Sequence, residues 1–314
     1  MTPYQKKLET WVNTNGLKIN LKKTNYMIFS NHKIQEIPFI PKIYSCIIER
    51  KIKARFLGII IHENLTWRDH ILAVKAKMSR YVGLLYKLKS ILPISIRKNI
   101  FQSFVQSHLN YCPIVWGLGP KSSIEPLFAE QKKAMRALMP GYTKNFYHKG
   151  ITPCHTKPYF TNYNILTVHS IIITNILIFM YKYYNSKHHV PPSVASIISL
   201  NAPKHKSSQE NDNEWFKSYP IGKYRNVISF KGPLFYKKYI TDLENEHKNN
   251  GGKSIRPDIS INCFKTHTKT HMLKIQSEGQ ADDWEGQNMP LYQVPGIKIS
   301  SRNTDNKSYI QFFD

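Results

Sequence analysis

The residues of this chain best suited to chemistry are basic. Lys75, Lys77, Arg80, Lys87, Lys89, Arg97 and Lys98 fall close together. Lysine and arginine supply phosphate contacts, which give affinity without a choice of base sequence. Taken singly, each reads as a solvated surface cation; as a set they favour contact with a polyanion. A second constellation is Cys263, His267 and His271, at i, i+4 and i+8. On a helix they would share a face and could ligate zinc. The chain has 13 histidines, so chance spacing is the competing explanation. His148, Cys154 and His155 make a weaker version of the same pattern. There is no Ser/His/Asp signature and no glycine loop to cradle a phosphate.

The overall charge points the same way as the basic set. The 314 residues carry a formal +25 with a pI near 9.8, and 41% of them are hydrophobic. Such an excess implies a polyanionic partner, nucleic acid before an anionic membrane, against the alternative of a merely solvated basic surface. Residues 1–120 hold 19 Lys and Arg against 5 Asp and Glu, a net of +14. Cys46, Cys112, Cys154 and Cys263 lack pair spacing, which argues for a reducing compartment. The polar opening from Met1 to Leu8 does not read as a signal peptide. The run Ile171 to Met180 is about half a membrane span and includes Thr174 and Asn175, so it reads as a buried helix. An intracellular location, nuclear or cytoplasmic, is expected, with no membrane partner.

The elements that must position these residues follow from periodicity. Residues 4–15 read as a short helix with Leu8, Trp11 and Val12 on one face and Gly16 as its C-terminal stop. Asn25 to Phe29, Ile43 to Ile48 and Ile52 to Ile61 read as strands. From Trp67 the period becomes helical. Ile71, Val74, Met78, Tyr81, Val82, Leu85 and Leu88 take one side, and Lys77, Arg80 and Lys87 the other. Leu92-Pro93 opens a next helix that buries Ile96, Ile100, Phe104 and Val105 and ends by Pro113. A third helix, capped by Ser122 or Ser123, carries Leu127, Phe128, Met135 and Leu138 and stops at Pro140-Gly141. A fourth spans about 165–184. Tyr111, Trp116 and Phe128 read as core aromatics. Residues 200–215 and 249–257 look like linkers, and the chain from about 277 reads as a disordered tail.

Several segments carry a family resemblance. Trp11 followed by Gly16-Leu17-x-Ile19-Asn20-x-x-Lys23-Thr24-Asn25-Tyr26-Met27-Ile28-Phe29 is one. Arg55-Phe56-Leu57-Gly58-Ile59-Ile60-Ile61 with Asn64-Leu65-Thr66-Trp67 and His70-Ile71 is another. Ser107-His108-Leu109-Asn110-Tyr111-Cys112 with Ile114-Val115-Trp116-Gly117 and Gln131-Lys132-Lys133-Ala134 is a third. Together they resemble the end of the palm and the thumb of non-LTR retrotransposon reverse transcriptases of the jockey/CR1-like LINE type. The likeness continues through His155 to Phe160, Asn164-Ile165-Leu166, Phe179 to Asn185, Ile228 to Phe235, and Phe264-Lys265 with Lys269, Leu273 and Lys274. It covers roughly residues 5–275, with gaps. Two positions depart from the family pattern: His62 stands where relatives usually have aspartate, and Phe235-Tyr236 where they usually have tryptophan.

What the resemblance implies is specific. Lys23 matches a late-palm lysine that can lie near the incoming nucleotide's phosphates and protonate the leaving pyrophosphate; read without the resemblance, it is a solvated lysine at a strand edge. Phe56, Leu57 and Gly58 match the primer-grip hairpin, where a glycine lets the sugar-phosphate chain approach. The basic residues from Lys75 to Lys98 match the thumb's duplex-facing side. The family polymerises with Mg²⁺ held by aspartates, two of them in a Tyr-x-Asp-Asp turn upstream of the Lys23 motif. Only 22 residues precede Lys23 and none is aspartate. Ala281-Asp282-Asp283 follows Gly279-Gln280 rather than an aromatic strand, and it lies beyond the thumb, so it is not that turn.

The expected architecture is α+β. A partial palm with a small antiparallel β element spans 1–66, and a helical thumb spans 67–145. A helical extension covers 146–199, a C-terminal extension 200–276 and the tail 277–314. The expected function is a truncated RNA-directed DNA polymerase that keeps its RNA and DNA template–primer surfaces, retains no metal and is inactive alone. The alternatives are a non-catalytic nucleic-acid-binding protein co-opted from an element, and an unstable pseudogene product.

Overall fold

The computed structural model describes residues 3–29, 40–119, 121–139, 156–185, 190–201, 260–277 and eight positions between 232 and 243. Among these residues the chain is α+β and mostly helical, with three two-stranded sheets. His148, Cys154 and His155, the expected linkers at 200–215 (except residues 200 and 201, which end a helix) and 249–257, the Pro140-Gly141 stop and the Asp282-Asp283 pair lie outside the described residues.

Helix α1 (Pro3–Thr14) forms where the sequence predicts it. The chain leaves it at Gly16, which has φ +63°. Leu17 N–H donates to Val12 O at 2.9 Å, and Gly16 N–H to Asn13 O at 3.1 Å, so two terminal carbonyls are satisfied. The predicted apolar face is only partly used: Val12 is buried, and Leu8 and Trp11 are exposed.

The strands are shorter and more folded back than expected. β1 (Asn25–Tyr26) pairs in parallel with β4 (Glu49–Arg50). The predicted strand 43–48 is itself a tight hairpin of β2 (Lys42–Ile43) and β3 (Cys46–Ile47), turning on Tyr44 and Ser45, both at positive φ. The segment 52–61 reverses at the Phe56-Leu57-Gly58 motif, where a hairpin turn is expected: β5 (Lys53–Phe56) and β6 (Ile59–His62) pair antiparallel around Leu57-Gly58. The turn at Tyr44-Ser45 is hidden in an apolar run, because period-2 patterning does not register a reversal of direction.

The helical body starts with α2 (Arg68–Leu88), which buries His70, Ile71, Val74, Met78, Val82 and Leu85. It continues through α3 (Ile94–Phe101), a wide π turn (Gln102–Gln106) and α4 (Ser107–Asn110). The extra residue in that turn shifts the helix phase. Phe101, Val105 and Leu109 are then fully buried, while Ile96 and Phe104, predicted as core, face out. Each of the three buried side chains contributes about 1.5–3 kcal/mol. A short α5 (Pro113–Trp116) follows, with proline at its first position. Next comes α6 (Lys121–Leu138), which begins slightly before the predicted serine cap and contains Pro126.

Then come α7 (Lys157–Asn162), α8 (Val168–Asn185), α9 (Pro192–Asn201), which the sequence reading does not foresee, and α10 (Ile261–Ser277). Helix α8 is buried almost all round, as its uniform hydropathy requires. No described helix is long and apolar enough to cross a membrane. One apolar cluster runs from Ile59 of the hairpin through α2, α6 and α8 to Met272 of α10.

Candidate nucleic-acid interface

The site is built around the β5–β6 turn. A two-residue turn with positive φ at both positions matches the twist of the strands it joins, and it favours Asn-Gly. Here it is Leu57-Gly58, with φ +45° and +83°. A leucine in the left-handed region costs about 1 kcal/mol, and this one is 74% exposed. Phe56 beside it is exposed as well. Strain together with an exposed apolar tip is what a contact surface carries, and not what a stable turn needs.

The tip is fastened to the helical body by Tyr111. Its hydroxyl donates to Leu57 O at 2.5 Å, and its ring lies 3.4 Å from where a Cβ on Gly58 would stand. Tyr111 is therefore not a core aromatic, as its spacing suggests, but 48% exposed. Its backbone is set from within: the indole N–H of Trp116, which is fully buried, donates to Tyr111 O at 2.9 Å. Phe128 is buried too. The other anchor of the hairpin is His70, buried beside Trp116. Its Nδ1 accepts the Ile60 N–H at 3.4 Å, which requires the neutral ring. Burial, then Lys77 and Arg55, lower its pKa from the ordinary 6.5.

From Tyr111 the exposed edge runs to His108, one turn earlier, and on to the Tyr81 and Phe104 rings, which stack with centroids 4.8 Å apart. Lys77 and Arg80 border it. Together with burial, the larger effect, both lower the pKa of His108. Lys77 and Arg80 therefore place positive charge beside His108.

The predicted basic set does not lie on one face. At about 3.6 residues per turn, Lys77, Arg80 and Lys87 line one flank of α2, and Lys75 falls on the other. Lys98 lies at the α3 corner, its Nζ 6.0 Å from the Tyr163 ring centroid. Lys89 caps α2, and burial, then Arg97, lower its pKa. Arg97 is a correction. It is 7% exposed, and its Nη1 donates to Ala137 O at 2.7 Å. It thus ties α3 to the last turn of α6, where a cation also suits the helix dipole, and it is not presented to a phosphate in solvent. Lys23 is exposed in the turn before β1. That segment lies toward the open end of the hairpin: Lys51 N–H donates to Tyr26 O at 2.9 Å, next to the Glu63 N–H to Ile52 O bond of 2.9 Å that closes the hairpin's open end. The Phe56–Gly58 tip is at the opposite end of the ladder.

The donor set near the hairpin does not fit the two Mg²⁺ ions that the family resemblance implies. Glu63 is bound to Arg50 at 2.9 Å, and Asp69 is 3.7 Å from Lys53. Among the described residues no group of three His, Cys, Asp or Glu could hold a metal. The Cys263–His267–His271 face is used otherwise: Cys263 is exposed, His267 Nδ1 lies 3.1 Å from Tyr239 Oη, and the buried His271 meets the Tyr239 ring edge-on.

Arg55 and Phe104 are exposed, which the sequence pattern does not single out, and Tyr81, expected on the inward face of α2, is half-buried against the core. The signal was present in Phe104, His108 and Tyr111 at i, i+4 and i+7, but the π turn disguises it. Comparison with protein-family models, with curated proteins and with solved structures yields no match.

Proposed function

We propose that this chain is the palm-end, thumb and C-terminal extension of a non-LTR retrotransposon reverse transcriptase, and that it acts as the template–primer clamp without a metal site of its own. One observation carries the reading. A strained, exposed Phe56-Leu57-Gly58 tip is locked by Tyr111 onto a helical body whose adjoining edge bears Lys77 and Arg80. A hairpin tip of this kind can meet a sugar-phosphate chain closely, and the cations beside it can take the neighbouring phosphates. RNA and DNA are the partners this chemistry fits.

Binding of a labelled RNA–DNA hybrid, followed by fluorescence anisotropy over a salt series, tests the reading. Affinity should fall steeply with salt, with a log–log slope of about −0.9 for each phosphate contacted on a duplex. No binding at low salt would refute it. Primer extension by these 314 residues with Mg²⁺ should give no product, because their carboxylates near the hairpin are held by Arg50 and Lys53. That pairing also favours the second reading, a non-catalytic nucleic-acid-binding protein derived from such an element, which makes the same binding prediction.

A further inference from the structure

The edge between α2 and the π turn carries more aromatic surface than a phosphate grip needs. Tyr81 and Phe104 are stacked, and the His108 ring lies 5.9 Å from that of Tyr81. Tyr111 follows one turn after His108. Phe104 is 43% exposed although its neighbours Phe101 and Val105 are wholly inside. The π turn is what turns it outward, onto Tyr81.

Cations border these rings. Lys77 and Arg80 act on His108, and Lys77 with Arg55 acts on His70. No acidic residue occurs between Asp69 and Glu125, so neither α2 beyond its first turn nor the helix from Ile94 to Asn110 offers a carboxylate to offset them. An apolar protein partner would use the rings and waste the charge. A ligand with flat faces and regularly spaced negative charge uses both. In a duplex each base face is covered by its neighbours, so exposed rings gain nothing along its length. In a single strand the bases are free to stack on aromatic side chains while the backbone follows the cations.

We propose that the Tyr81–Phe104–His108–Tyr111 edge is a stacking platform for unpaired nucleic acid, with Lys77 and Arg80 on its phosphates. The proposal rests on the nucleic-acid reading above and narrows it. The platform adjoins the hairpin tip through Tyr111, so a strand lying on it would continue into the surface assigned to the template–primer.

The test compares two labelled ligands on the full chain: an oligouridylate of about 12 nucleotides, and a hybrid duplex of similar length whose ends are closed by non-nucleotide linkers. Phe104→Ala should weaken the single strand about tenfold and the closed duplex by less than about twofold. The double variant Lys77→Gln/Arg80→Gln should weaken both, and should flatten the single-strand salt slope by about 1.4. Leu72→Ala, an exposed apolar change elsewhere on α2, should alter neither. Circular dichroism of each variant establishes that its helices are intact. An unchanged single-strand affinity in Phe104→Ala, or an equal loss on both ligands, overturns the platform and leaves the clamp reading standing. Absence of binding to either ligand at low salt overturns both.

Discussion

Leu57 holds a backbone conformation that suits glycine or asparagine, and it exposes an isobutyl group that contributes nothing to the core. Replacing it should separate stability from binding. Leu57→Asn should raise stability by about 0.5–1 kcal/mol, because asparagine tolerates the left-handed region. The same change should weaken hybrid binding. Urea unfolding and anisotropy on one preparation measure both effects, and a variant that gains no stability would show that the turn is not strained. His70 is read through pH. Its folded pKa is lowered, by burial first and then by Lys77 and Arg55. The unfolded chain therefore takes up this proton at a higher pH than the folded one does. The stability that depends on neutral His70 is complete above about pH 6.5 and declines as pH falls through the folded value. The same sign holds for the more exposed His108. Melting temperatures between pH 7.5 and 5 (a range about the ordinary histidine pKa) should fall less steeply in His70→Gln than in the parent. Equal slopes would remove His70 as a cause.

At the level of elements, the helical body is closed by two glutamines that grip one short stretch of backbone. Gln131 of α6 donates to Leu166 O at 2.9 Å and accepts the Val168 N–H at 2.8 Å. Gln276 of α10 accepts the Thr167 N–H at 3.2 Å and the Ser170 hydroxyl at 2.8 Å, and donates to Ile165 O at 3.3 Å. All lie in the interior, where an unmade hydrogen bond costs about 1–3 kcal/mol. Gln276→Leu should therefore destabilise by about that amount. A double-mutant cycle with Gln131→Leu should show coupling above about 0.5 kcal/mol. Strict additivity would mean that the two side chains serve separate ends. The sequence shows Gln131 only as part of a motif, and Gln276 not at all. Amides lack a periodic signature, and their partners here are 35 to 111 residues apart.

For the molecule as a whole, apolar burial is unevenly shared. The continuous cluster begins at Ile59 and includes α2, α6, α8 and α10, while Val12, Ile43 and Ile48 are buried outside it. Two-residue strand pairs add little by themselves. Hydrogen exchange should accordingly be faster for amides in 42–50 than for those in α2, α6 and α8. Equal protection would show that the N-terminal segment unfolds with the helices. The proposed phosphate contacts divide in the same way: Lys77 and Arg80 lie on α2, which contributes to the large apolar cluster, and Lys23 lies in the turn before β1, outside it.

Charge excess, the burial of α8 and the inward face of α2 were legible in the order of amino acids, because each rests on composition or on an unbroken helical period. The Tyr44-Ser45 turn, the outward Phe104 and the inward Arg97 were not. A reversal inside a β-branched run, one extra residue in a helical turn and a guanidinium meeting a carbonyl 40 residues away leave no local mark. Such features come from packing between distant segments, which brings Tyr111 to the hairpin and turns Phe104 onto Tyr81.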